Sequence, residues 1–323
     1  MKKSTVILAA VTAVALSPLA QTASAANVKI TPLGGVTGEF CRLDRAMVFE
    51  DPDGTRILYD AGRSVAGGDD PRLGKIDALL VSHMHGDHVG DRHMKAVDAG
   101  TCGKPDISVV DVPVTNTVHI AFAKQAKIVT GSEMPPFFGA KLKGLGGDPK
   151  NSILVRFGAT KMVGGVGIST VPAVHSNGLS PSMIGGELGD MMAAAGFAGY
   201  VGPPTGYVLT FSNGLVAYLS GDTGMTAEQE LVVRGFYGAQ LVVMNIGDTF
   251  TTGPKEAAYV VNELVKPASV IPSHANEEAT KDGKVIPGTR TETFMKAVKM
   301  PAHLPLSGKT MEFDGAGKCV AGC

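Results

Sequence analysis

The run "SHMHGDHVGD", Ser82 to Asp91, places His83, His85, Asp87 and His88 within six positions, and a chain of 323 residues with eight histidines has three of them here. It continues "ALLVSH" (78–83), a largely apolar run with the length and composition of a buried strand. Imidazoles and a carboxylate delivered together from a buried strand are costly to desolvate unless something pairs them. A divalent cation does so, and that requirement constrains the fold: the chain must bring further donors to the end of this strand.

Three later polar residues supply them. His175 ends "GISTVPAVH", Asp222 ends "TGYVLTFSNGLVAYLSGD", and His274 ends "ASVIPSH". Parallel strands deliver their C-terminal ends to one edge of a sheet, where α/β proteins place their sites. One tetrahedral cation cannot use seven ligands, whereas two adjacent cations sharing a carboxylate can. His83 and His85 alternate in phase along an extended chain and so face one way. Gly86 then permits a bend that turns Asp87 and His88 toward a second position. Mixed imidazole and carboxylate donors favour zinc, with iron and manganese also compatible. A lone histidine after an apolar strand is commonly a core residue; the complete set is what marks His175 and His274 as ligands.

The rest of the chain alternates short β-rich runs with helical patterns. Strands are expected at 27–35, 46–51, 56–62 and 78–83, then a helix from about Gly90 and another over 116–129. Strands follow at 152–158 and 167–175, and a hairpin turns at Ser212–Asn213–Gly214. Helices at 227–238 and 253–267, the second with Pro254 suited to its first turn, flank a strand at 240–248. The expected fold class is therefore α/β, one domain of two β-rich layers with outer helices. Residues 176–204, rich in Gly, Ala and Met, read equally as a lid over the site or as a surface insertion. Met183, Met191 and Met192 within it read as ordinary apolar packing. "NIGDTFTTG" (245–253) is expected to line the pocket, and His93, His119 and His303 to occupy surface positions or helix faces.

Residues 1–25 have the basic start, apolar run (Val6 to Leu16) and Ala23–Ser24–Ala25 pattern of a secretory signal peptide. That apolar run is short of the roughly 20 residues that cross a bilayer, so no stable membrane anchor is expected. The domain then spans 26–323 and works in the periplasm or outside the cell. The formal charge is −1, or −3 once Lys2 and Lys3 are removed, with no basic run and no Trp, which argues against a nucleic-acid partner. A small-molecule substrate is expected instead. Cys41, Cys102, Cys319 and Cys323 allow three disulfide pairings, a local Cys319–Cys323 bridge among them.

"HMHGDH" resembles the His-x-His-x-Asp-His signature of the metallo-β-lactamase-fold hydrolases, and "VHSNG", "LSGDTG" and "IPSH" resemble the family's later ligand segments in order. The resemblance runs from about Asn27 to Ala302. It implies a four-layered αβ/βα sandwich, with His83, His85 and His175 holding a first metal. Asp87, His88 and His274 would hold a second, with Asp222 bridging and Asp60 of "LYDAG" orienting ligands. Within the superfamily, "GPPTGYVLTF", "YLSGDTG" and "VVMNIGDTFTTGPKEAAYVVNELVKPASVIPSH" are most similar to the branch that includes ascorbate-6-phosphate lactonase.

The expected activity is that of an exported hydrolase using two divalent ions, in which a hydroxide held between the metals attacks the substrate and Asp87 relays a proton to the leaving group. The segment 176–204 is apolar and the sequence shows no cationic clamp, so a neutral ester or lactone is expected first. A phosphodiester or sulfate ester comes second, and iron-dependent oxidoreduction is the rival from another class.

Overall fold

The computed structural model describes Met1 and residues 26–323; the expected signal peptide lies outside the described residues. Successive side chains along the strands alternate between two environments, and that alternation builds the layers. In the first sheet Ile57 and Tyr59 face the second sheet, while Leu58 between them faces helices. In the second sheet Val243 faces inward, and Val242 and Met244 face the opposite helices. Two sheets thus share a central core, and each is covered on its outer face, as the four-layered expectation required.

The first sheet comprises β1 (Val28–Pro32), β2 (Met47–Glu50), β3 (Arg56–Tyr59), β4 (Ala78–Leu80), β5 (Lys127–Thr130) and β6 (Ser152–Leu154), with β13 (Met311–Phe313) and β14 (Cys319–Ala321) from the C-terminal end. Its order is β14-β13-β1-β2-β3-β4-β5-β6, antiparallel as far as β3 and parallel from β3 to β6. The second sheet comprises β7 (Thr160–Val163), β8 (Val166–Pro172), β9 (Thr205–Thr210), β10 (Val216–Leu219), β11 (Leu241–Asn245) and β12 (Ser269–Ser273), in the order β12-β11-β10-β9-β8-β7. β10, β11 and β12 are parallel, and β8, antiparallel to β9 as β9 is to β10, runs with them. β3, β4, β8, β10 and β12 each end within three residues of a polar side chain singled out above.

The two sheets are also joined by hydroxyls. Tyr207, fully buried on β9, donates to the carbonyls of Val81 (2.8 Å) and Val129 (3.0 Å) in the opposite sheet. Tyr59 accepts from the amide of Gly221 at 3.0 Å.

Several expectations fail. No helix begins at Gly90: a single turn, Gly86–Val89, stops there because Gly90 adopts φ +73°, and Arg92–His93 pairs with Val109–Val110 instead. The helix from Asn116 ends at Lys124, since Gln125 turns left-handed, and the apolar residues beyond it form β5. Residues 176–204 are ordered into two short helices, Pro181–Ile184 and Gly186–Ala195, clasped by the pairing of Gly178–Leu179 with Gly199–Tyr200. Met183 packs into the core, but Met191 is 64% exposed, because the second helix presents that face to solvent. His93 is buried rather than at the surface, 3.2 Å from Asp111. The cysteines pair as Cys41–Cys102 and Cys319–Cys323.

Candidate metal centre

The seven donors expected from the sequence meet at the C-terminal edge of both sheets. His83 and His85 leave β4, and Asp87 and His88 sit on the turn Gly86–Val89. His175 follows β8, Asp222 follows β10 and His274 follows β12. They form two triads of converging donor atoms, His83–His85–His175 and Asp87–His88–His274. Asp222 lies between the triads. Its Oδ2 is 3.1 Å from His274 Nε2, 3.3 Å from His88 Nε2, and 3.8 Å from Nε2 of both His83 and His175.

These separations suit cations. Bonds of roughly 2.0–2.2 Å to a tetrahedral ion place its donor atoms about 3.3–3.6 Å apart. His175 Nε2 faces His85 Nδ1 at 3.3 Å, and Asp87 Oδ2 lies 3.3 Å from His274 Nε2 and 3.8 Å from His88 Nε2. His83 Nε2, His88 Nε2, His274 Nε2 and Asp222 Oδ1 are buried without a hydrogen-bond partner. Each orphan costs on the order of 1–3 kcal/mol, which a shared ion would remove. The donor set therefore fits metal.

The electrostatics point the same way for three of the histidines, whereas at His88 burial is outweighed by the Asp222, Asp60 and Asp87 carboxylates, which raise the ring well above the usual imidazole range. Burial, then repulsion from His88, pushes the His83 ring well below the usual imidazole range, and burial also lowers His85 and His175. Neutral imidazoles are the form that ligates. Burial would raise Asp87, but the His88 and His274 rings and the Arg45 guanidinium overcome it and hold the carboxyl well below its ordinary range. Asp222 is depressed in the same manner by His274 and His88. Both carboxylates are thus ionised at neutral pH.

A second set of side chains fixes the donors. Asp60, at the end of β3 with φ +40°, accepts from the Ser82 amide, the Ser82 hydroxyl and His88 Nδ1, each at 2.8 Å. The Ser82 hydroxyl also lies 3.0 Å from His83 Nδ1, so one carboxylate orients histidines of both triads. Thr223 Oγ1 accepts the Val174 amide at 2.9 Å and ties the His175 loop to the Asp222 loop. Asn177 Oδ1 accepts the Met84 amide at 2.9 Å. Gly86 is needed for space, since a Cβ there would stand 2.5 Å from the Asp91 carboxylate. Gly221, at φ +59°, passes so close that a Cβ would meet Ser82 Cβ at 2.9 Å.

Arginines were not visible to the sequence reading. Arg45, almost wholly buried, donates to Asn276 Oδ1 at 2.7 Å and lies 3.2 Å from Asp87 Oδ2. A cavity of about 700 Å³ opens over the donors, and Arg42, Arg45, Arg63 and Arg290 all line it, together with Gly247 to Phe250. The expectation of no cationic clamp is therefore corrected. Positions 42–45, 63 and 290 belong to three separate segments, so no basic run announces them.

A two-sheet sandwich with helices on both outer faces and histidine-carboxylate donors at the strand ends defines the architecture of the metallo-β-lactamase fold. Comparison with known proteins agrees. The family model "Beta-lactamase superfamily domain" matches residues 55–275, and the chain belongs to that superfamily. A relative from Koribacter versatilis, named a UPF0173 metal-dependent hydrolase, is 30% identical over 236 residues, covering 72% of this chain and 82% of its own. Among solved structures, a metallo hydrolase of the archaeon Ignicoccus hospitalis superposes with TM-score 0.54 at 20% identity, covering 89% of this chain and 99% of its own. A diiron β-hydroxylase of Streptomyces venezuelae gives TM-score 0.54 at 12% identity over 91% of this chain and 55% of its own.

Proposed function

We propose that this chain is an exported metal-dependent hydrolase holding two divalent cations, zinc foremost, and cleaving a carboxylic ester or lactone. One observation carries the reading: Asp222 Oδ2 stands within 3.1–3.8 Å of imidazole nitrogens from both triads. A carboxylate so placed serves two positions at once. His83, His85 and His175 would hold one cation, and Asp87, His88 and His274 the other.

Bound there, divalent cations supply an activated water and positive charge for a developing oxyanion. The protein's own part is positioning and proton handling. Arg45 and His274 hold Asp87 as a carboxylate facing the cavity, where it accepts a proton and passes it to the leaving oxygen. Asp60 keeps a proton on His88 Nδ1, leaving Nε2 free to ligate. The name of the Koribacter relative supports hydrolysis. The four arginines of the cavity also favour a second reading, cleavage of a phosphodiester or sulfate ester.

The test is metal analysis of protein purified without added metal, followed by assay on aryl acetate, lactone, bis-aryl phosphate and aryl sulfate. Two zinc ions per chain with ester or lactone turnover is expected. Turnover of bis-aryl phosphate alone would install the second reading, and iron with oxygen consumption would replace hydrolysis by oxidation. Export is supported by the leader and by the pairing of all four cysteines, which persists where thiols are oxidised. Sequencing the N-terminus of periplasmic protein checks it, with a start near Ala26 expected.

A further inference from the structure

The four arginines of the cavity are not equally committed. Arg45 is spent on Asp87, Asn276 and the carbonyls of Arg42 and Asp44. Arg63 forks onto Asp91, with bonds of 2.7 and 2.9 Å. Arg290 is different: its closest carboxylate, Glu277, is 3.8 Å away, and its Nη1 makes a single long bond to the Ala275 carbonyl. Glu277 is itself occupied by the amides of Arg290 and Thr291 at the start of the helix Arg290–Ala297. The Arg42 guanidinium is exposed and has no hydrogen-bond or ion-pair partner among the described residues.

The local charge is equally one-sided. Apart from Asp87 and Asp222, four guanidiniums face the cavity against one carboxylate, Asp248, in a chain whose net charge is −1. Asp248 lies on the exposed turn and already accepts the Thr249 amide at 2.7 Å. Two planar forks with unspent donors on the cavity that opens over the metal donors suit an oxyanionic group by charge and by the shape of a guanidinium.

We propose that the substrate carries, away from the bond that is cleaved, a carboxylate or phosphate gripped by Arg42 and Arg290. The proposal rests on the hydrolase reading of the same site and names the class of molecule that enters it. Arg45 and Arg63 act differently, as positioning residues for Asp87 and for the turn that carries it.

The kinetic test uses metal-loaded protein and two esters of equal length, 4-nitrophenyl hexanoate and the mono-4-nitrophenyl ester of adipic acid, which differ by a terminal carboxylate. The wild type is expected to favour the adipate ester about tenfold or more in kcat/KM, and Arg42→Gln and Arg290→Gln each to reduce that ratio about tenfold. Raising the salt to half molar should shrink it as well, since the rim is open to water. A wild-type preference for hexanoate overturns the proposal.

Calorimetric titration with adipate and with inorganic phosphate judges the proposal even if neither ester is cleaved, an outcome that would count against the ester reading alone. Binding that weakens about tenfold in either variant supports it, and the anion that loses more identifies carboxylate or phosphate. Wild-type protein that binds neither anion, or variants that bind both as tightly as the wild type, overturns it.

Discussion

Asp60→Asn isolates the link between a buried carboxylate and the metal centre. Asn matches Asp in size and tolerates the positive φ of 40° at this position. The Ser82 amide donates to Oδ1, so the carbonyl of the new side chain must face it, and the NH2 must face Ser82 Oγ and His88 Nδ1. His88 then accepts at Nδ1 and carries its proton on Nε2, the nitrogen that meets Asp222 and Asp87. Loss of such an orienting partner weakens metal affinity roughly 10–100-fold, or about 1.4–2.7 kcal/mol. That range agrees with the roughly 1–3 kcal/mol of one unsatisfied buried hydrogen bond. Metal-free protein titrated with zinc against a chromophoric chelator should therefore show the ion at His88 bound 10–100-fold more weakly, and the ion at His83, which reaches Asp60 only through the Ser82 hydroxyl, weakened as well. Two ions at unchanged affinity would refute the tautomer argument, because nothing else about the side chain's size or backbone has altered.

Three further outcomes follow from the packing. Tyr207→Phe leaves the Val81 and Val129 carbonyls without their cross-sheet donor and should cost on the order of 1–3 kcal/mol in urea unfolding. Cys41→Ser opens a loop of 61 residues and should lower stability by about 4 kcal/mol by chain entropy, with reductant bringing the wild type down toward the variant. Asp44 is fully buried, and burial lifts its carboxyl from 3.8 to about 6 despite bonds from the Cys41 and Gly35 amides. The folded chain thus binds this proton more tightly than the unfolded chain, so stability falls as pH rises through that window. The wild-type unfolding free energy measured relative to Asp44→Asn should drop by about 2 kcal/mol between pH 4 and pH 7; a constant difference would show that the carboxyl titrates alike in both states.

The layers and the donor set were legible because both follow from local rules. Alternation along 56–59 and 241–245 assigns each strand two buried faces, and a polar residue straight after such a strand must lie at its end. The helix expected from Gly90 failed because a left-handed glycine halted the chain after one turn, which no apolar spacing reports. Asp60 was visible through "LYDAG", but Ser82, Asn177 and Asn276 act through hydrogen bonds that carry no periodic signal. The arginines were hidden for a topological reason: Arg42 and Arg290 are distant in sequence and come to line one cavity only through the fold.

The bond between Cys41 and Cys102 has a consequence for how the protein is handled. Arg42 follows directly on Cys41, so this part of the cavity rim is stapled covalently to a loop 61 residues away, whereas neither disulfide lies in the segments that carry the seven donors. Under the proposed grip on an anionic substrate, protein made in a reducing cytosol would lose the staple beside Arg42 and with it the stiffness of one side of the cavity, blunting discrimination between charged and neutral guests. On that reading, selectivity would be acquired through oxidation.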